Sequence, residues 1–86
     1  MILLYEIEFS LKAKKHFLKL EKTVQERIIS ALERIRIRPE AFITKLVGDP
    51  GYKLRVGDYR IIMDIDKHKL LILVIKVGHR KNIYNI

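Results

Sequence analysis

Residues 52–66, YKLRVGDYRIIMDID, decide the fold of this 86-residue chain. Tyr52–Val56 and Tyr59–Asp66 are rich in β-branched and aromatic residues, and the pair Gly57-Asp58 separates them. A glycine-containing pair between two such runs reads as a two-residue hairpin loop, because glycine adopts the positive φ such loops require. The loop sets the register: Val56 faces Tyr59, and Arg55 lies directly opposite Arg60. Strand side chains alternate with a period of two, so Lys53 joins both arginines on one face. The opposite parity carries Tyr52, Leu54, Val56, Tyr59, Ile61, Met63 and Ile65, which is the face a helical layer would cover.

Outward from the hairpin, a turn near Lys67-His68 leads to a strand over residues 70–77. It is apolar on both parities, as for an interior strand covered on both faces over part of its length. Gly78 ends it and leaves residues 79–86 as a short tail. A short strand around residues 45–47 precedes the turn Gly48-Asp49-Pro50-Gly51. Further upstream the apolar period changes to that of a helix. Ser10 offers an N-cap for a helix over residues 11–21, with Ala13, Phe17 and Leu20 at i, i+4 and i+7. Thr23 and Glu26 form a capping-box pair that restarts the helix. Val24, Ile28, Ala31, Leu32 and Ile35 then make one apolar stripe, and Pro39 stops it. Residues 2–9 read as a first strand. The layout is β-α-α-β-β-β-β, an α+β fold in which a helical hairpin packs on one face of a mostly antiparallel sheet. Residues 1–86 form one domain.

Charge gives this layout a function class. Eighteen Lys and Arg against ten Asp and Glu leave a formal +8, which predicts a polyanionic partner. Cysteine is absent, so disulfides, thiolate nucleophiles and sulfur-based zinc sites are excluded. His16, His68 and His79 lie too far apart for metal-ligand spacing, and no glycine-rich phosphate loop is present. The run Met1-Ile2-Leu3-Leu4 ends at Glu6 and Glu8, too short for a signal peptide or a span, so a cytoplasmic protein is expected. Like charges opposite each other on a sheet are destabilising. Retaining Arg55 against Arg60 therefore suggests a bound anion such as a phosphate backbone. A solvated face neutralised by Asp58 or Asp64 is the alternative. The tail adds His79, Arg80, Lys81 and Tyr84, which an antiparallel return would bring close to Arg60.

The segment YKLRVGDYR and the ending VGHRKNIY, following a strand and two helices, resemble the RelE branch of the RelE/ParE toxins from toxin–antitoxin pairs. The resemblance covers essentially the whole chain. It implies a compact ribonuclease, independent of metals and cofactors, that enters the ribosomal A site and cuts mRNA. It also implies a RelB-like antitoxin that wraps the toxin and holds it inactive; acidic residues on it would offset the +8 charge and cover the groove between helices and sheet. Carried onto matching positions, the family's functional residues fall on Lys53, Arg55, Arg60, Arg80 and Tyr84, with His79 as an accessory candidate. Arg55 stands where the family has a second lysine, and the stretch from Arg80 to Tyr84 is shorter. An arginine holds its proton, so Arg55 is expected to clamp phosphate, leaving proton transfer to Lys53, Tyr84 or His79. The rival readings are a ParE-like inhibitor of DNA gyrase and a non-catalytic RNA-binding module.

Overall fold

The computed structural model describes residues 3–81. The chain runs through β1 (Glu6–Phe9), α1 (Leu11–Leu18), α2 (Lys22–Ile35), a 3-10 turn (Pro39–Ala41), β2 (Thr44–Lys45), β3 (Tyr52–Val56), β4 (Tyr59–Asp66) and β5 (Leu71–His79). The sheet order is β1-β5-β4-β3-β2. Pairings β2–β3, β3–β4 and β4–β5 are antiparallel, whereas β1 lies parallel to β5. After β1 the two helices carry the chain to the far edge, and the meander β2 to β5 returns it to β1. The expected α+β layout therefore holds, with one parallel pairing in the sheet.

The core lies between α2 and the sheet. Ile28, Leu32 and Ile35 of α2 are fully buried with Leu54, Ile61, Met63, Ile72, Val74 and Val77. Val24 and Ala31, also on the expected stripe, pack half-buried against this cluster. α1 contributes Ala13, and its Phe17 meets Phe9 of β1 at 5.2 Å between ring centroids.

Ser10 joins α1 to the sheet. Its Oγ accepts the amide of Ala13 at 3.1 Å, the expected N-cap, and donates to the carbonyl of Ile75 at 3.1 Å. That carbonyl lies at a β-bulge: Ile62 pairs with Lys76 but Met63 pairs with Val74, so Ile75 is the extra residue. The bulge switches the inward parity of β5 from Ile72 and Val74 to Val77. The strand is thus apolar on both parities largely because its pleat shifts, and its other face is half-buried at Leu71, Leu73 and Ile75. Ser10→Ala removes both bonds and is expected to cost about 1–2 kcal/mol. Ser10→Asp, which caps Ala13 but cannot donate to Ile75, should recover only part of the lost melting temperature.

Several boundaries differ from expectation. Thr23 is not an N-cap: α2 begins at Lys22 with Glu21 as its cap residue and no side-chain cap bond. Instead the Gln25 amide donates to the Leu20 carbonyl at 2.9 Å, linking the end of one helix to the start of the next. α1 accordingly stops at Leu18. α2 ends at Ile35, four residues before Pro39, where Arg36 takes over: its Nε donates to the Tyr5 carbonyl at 2.7 Å and its Nη1 pairs with Glu33 at 2.8 Å. Pro39 opens the 3-10 turn. β5 starts at Leu71 because Leu70 has φ +50, outside strand geometry, after an Asp66 carboxylate that accepts the amides of His68 and Lys69.

Candidate functional site

The β3–β4 hairpin forms in the expected register, with Val56 opposite Tyr59 and Arg55 opposite Arg60. Gly57 takes φ +59, as in a turn with glycine at the first central position. A Cβ there would also lie 3.1 Å from Nη2 of Arg27 on α2. Gly57→Ala is therefore strained in both backbone and packing, and is expected to lower stability by about 1–2 kcal/mol. A thermal melt measures it.

Leu54, Ile61 and Met63 face the helices and are buried. Lys53, Arg55 and Arg60 lie on the other face by alternation. Lys53 and Arg60 are half-buried, and Arg55 is exposed with its Nε donating to the Gly57 carbonyl at 3.3 Å. The three cations share a depression of about 290 Å³ with Phe42, Thr44 and Leu54. Opposite Arg60 on β5 stands Gly78, which presents no side chain to the arginine. The Arg80 amide donates to the Asp58 carbonyl at 2.8 Å, which continues the ladder past β5 and fastens Arg80 to the hairpin loop. Arg80 itself lies one residue past β5, is exposed, and does not line the depression.

His79 goes the other way. It pairs with Tyr59, whose parity is that of Ile61 and Met63, and the two rings meet edge to face at 5.5 Å. Its Nδ1 accepts the amide of Lys81 at 3.2 Å. His79, the accessory candidate, therefore does not join the cluster of Lys53, Arg55 and Arg60, because one step of alternation turns it to the helix face. Tyr84 lies outside the described residues.

Phe42 and Thr44 line the depression and had no place in the sequence reading. Phe42 follows the Pro39–Ala41 turn and is 47% exposed. Thr44 pairs with Lys53 across β2–β3. The signal was an unburied aromatic just before a strand that pairs with a basic one. Chemically, the depression combines an aromatic wall with cations that differ in geometry: two planar guanidinium forks and one ammonium. Such a surface suits a phosphodiester with an unstacked base beside it. Among the described residues no group of three His, Cys, Asp or Glu side chains has the placement to hold a metal ion. None of the described helices is long and apolar enough to cross a membrane.

The chain is similar to known proteins. A family model described as the ParE toxin of a type II toxin–antitoxin system, parDE, matches residues 7–84. The mRNA interferase toxin RelE of Escherichia coli (strain K12) is 32% identical over 80 residues, covering 90% of this chain and 84% of that protein. The intact E. coli RelBE toxin–antitoxin complex contains a chain with a TM-score of 0.74 and 35% identity, covering 87% of this chain and 95% of that one. A RelBE toxin–antitoxin complex from Mycobacterium tuberculosis shares the fold, with a TM-score of 0.81 at 22% identity over 90% of this chain and 99% of that one.

Proposed function

Because this chain belongs to the RelE/ParE family of toxins from type II toxin–antitoxin systems, we propose that it is an endoribonuclease that cuts mRNA in the ribosomal A site. The observation that carries the proposal is the direct opposition of Arg55 and Arg60 on the sheet face away from the helices, with Lys53 two residues from Arg55 along β3. A fold gains nothing from that opposition by itself. A phosphodiester between the two guanidinium groups would turn repulsion into attraction.

In this reading the RNA 2′-hydroxyl attacks the adjacent phosphorus. The 2′-oxygen–phosphorus bond forms and the bond to the 5′-oxygen of the next nucleotide breaks, giving a 2′,3′-cyclic phosphate and a 5′-hydroxyl. One proton must leave the 2′-hydroxyl and one must reach the departing oxygen. Negative charge builds on the non-bridging oxygens as the phosphorus becomes five-coordinate, and Arg60 and Arg80 are assigned to stabilise it. Arg55 clamps the phosphate, and Lys53 or Tyr84 handles a proton. With its ring turned to the helix face, His79 is a poor candidate for that task. Phe42 offers a flat surface for a splayed base. The reading needs no metal ion, since the arginines supply the positive charge. The protein would work in the cytoplasm, where ribosomes are, and a RelB-like antitoxin would bind and silence it.

Purified protein added to a translation extract is expected to stop synthesis and leave cuts at A-site codons, mapped by primer extension. Intact mRNA on translating ribosomes would overturn the proposal. The ParE description of the family model keeps a second reading in view, inhibition of DNA gyrase by binding. Linearised plasmid with gyrase covalently attached, and mRNA untouched, would favour it.

A further inference from the structure

A second basic surface lies around the corner from the sheet-face depression. Thr23, Arg27 and Arg34 stand at i, i+4 and i+11 of α2, which aligns them along one flank of the helix beside the buried stripe of Ile28 and Leu32. That flank faces the β3–β4 turn across an open groove of about 640 Å³, whose lining also includes Glu26, Ser30 and Arg55. The guanidinium of Arg27 lies against Gly57, where the missing side chain leaves room for it: a Cβ would be 3.1 Å from Nη2 and 3.6 Å from Cζ. The turn glycine that sets the hairpin register thus also admits Arg27 to the groove.

We propose that this groove is a second phosphate-backbone site, which holds an RNA strand beyond the phosphate seated between Arg55 and Arg60. Arg55 lines both depressions, so they meet at one side chain at the edge of the sheet. Arg27, Arg34 and Arg55 are all exposed, and the ion pairs among the described residues, Glu33–Arg36 and Glu40–Lys67, involve none of them. Glu26 is the acidic group at the groove, set against three guanidinium groups and the hydroxyls of Thr23 and Ser30. Planar forks with neighbouring hydroxyls match phosphate oxygens better than ammonium groups would. Continuity with the sheet-face depression favours RNA over an acidic polypeptide, because one strand can occupy both. The inference rests on RNA as the substrate class, but not on cleavage.

The test is the salt dependence of binding to a fluorescently labelled single-stranded RNA, measured by anisotropy on the whole protein. For single strands the slope of log affinity against log salt falls by about 0.7 for each phosphate that the protein no longer neutralises. Arg27→Gln/Arg34→Gln should therefore lower the slope by about 1.4, so that between roughly 50 and 200 mM salt the parent loses about sevenfold more affinity than the variant. Lys12→Gln/Lys15→Gln on α1 makes the same change in net charge and is the control; it should alter the slope less. Arg34→Gln alone, which leaves the Arg27–Gly57 packing intact, should give half the effect and guards against misfolding of the double variant. Equal slopes for the groove and control pairs would overturn the proposal. So would a polyglutamate peptide that needs Arg27 and Arg34 while RNA does not, which would assign the groove to an acidic protein partner. A reduced slope in a protein that leaves mRNA uncut on ribosomes would uphold the groove and remove the nuclease reading.

Discussion

Arg60→Ala is expected to lower the single-turnover rate of mRNA cleavage by about 10²–10³-fold, the usual consequence of removing one preorganised donor to transition-state charge. The arginine is half-buried on the central strand β4, between Arg55 on one neighbour and Gly78 on the other. Both neighbours matter. Arg55 raises the positive potential at the phosphate, and Gly78 puts no side chain of its own beside Arg60. Losing one of two directly opposed charges relieves their mutual repulsion, and a thermal melt reads the net effect on the fold. A variant that melts like the parent and fails to cut would separate the chemistry from stability. Arg60→Lys keeps the charge but loses the planar fork, and should recover only part of the rate. Parental cleavage by Arg60→Ala would return the basic cluster to a solvated charged face.

What made this site legible was the hairpin loop. Gly57-Asp58 fixes parity, and parity alone puts Lys53, Arg55 and Arg60 together with no knowledge of the rest of the fold. Features that depend on a partner strand were harder to see. The bulge at Ile75 arises from pairing with Ile62 and Met63, and its trace in the sequence is an apolar run that also fits a strand covered on both faces. The parallel contact of β1 with β5 joins residues some 65 positions apart, with no local signature beyond a short alternating strand. Thr23-x-x-Glu26 satisfied the capping pattern, yet Gln25 reached the carbonyl of Leu20 and the helix began two residues earlier. The place of His79 is decided by one step of alternation. Arg60 opposite Gly78 requires Tyr59 opposite His79, and Tyr59 belongs to the helix face by hairpin parity. Phe42 escaped because apolar periodicity has no register for a residue that belongs to neither helix nor strand.

Leu32→Ala tests the layer that holds this face in place, and it should cost about 2.7–5 kcal/mol, the range for a buried leucine whose cavity only partly collapses. Leu32 is 1% exposed and sits in α2 in one cluster with Leu54 and Ile61, whose neighbours along the strands are Lys53, Arg55 and Arg60. A chain of this length has about 4–13 kcal/mol of stability in all, on the scale of 0.05–0.15 kcal/mol per residue. The substitution thus removes a large share of it, and a loss of about 3 kcal/mol should lower the melting temperature by roughly 12–24 °C in a domain of this size. Leu32→Met, which conserves volume, should stay within about 1.5 kcal/mol of the parent. Cleavage provides the second readout. If α2 acts only by stabilising the sheet, Leu32→Ala should cut mRNA normally well below its melting temperature and lose activity in step with unfolding. A variant that is folded by circular dichroism yet inactive in the cold would mean that the pleat under Arg55 and Arg60 had shifted, and that the helix fixes the geometry of the site as well as the stability of the fold.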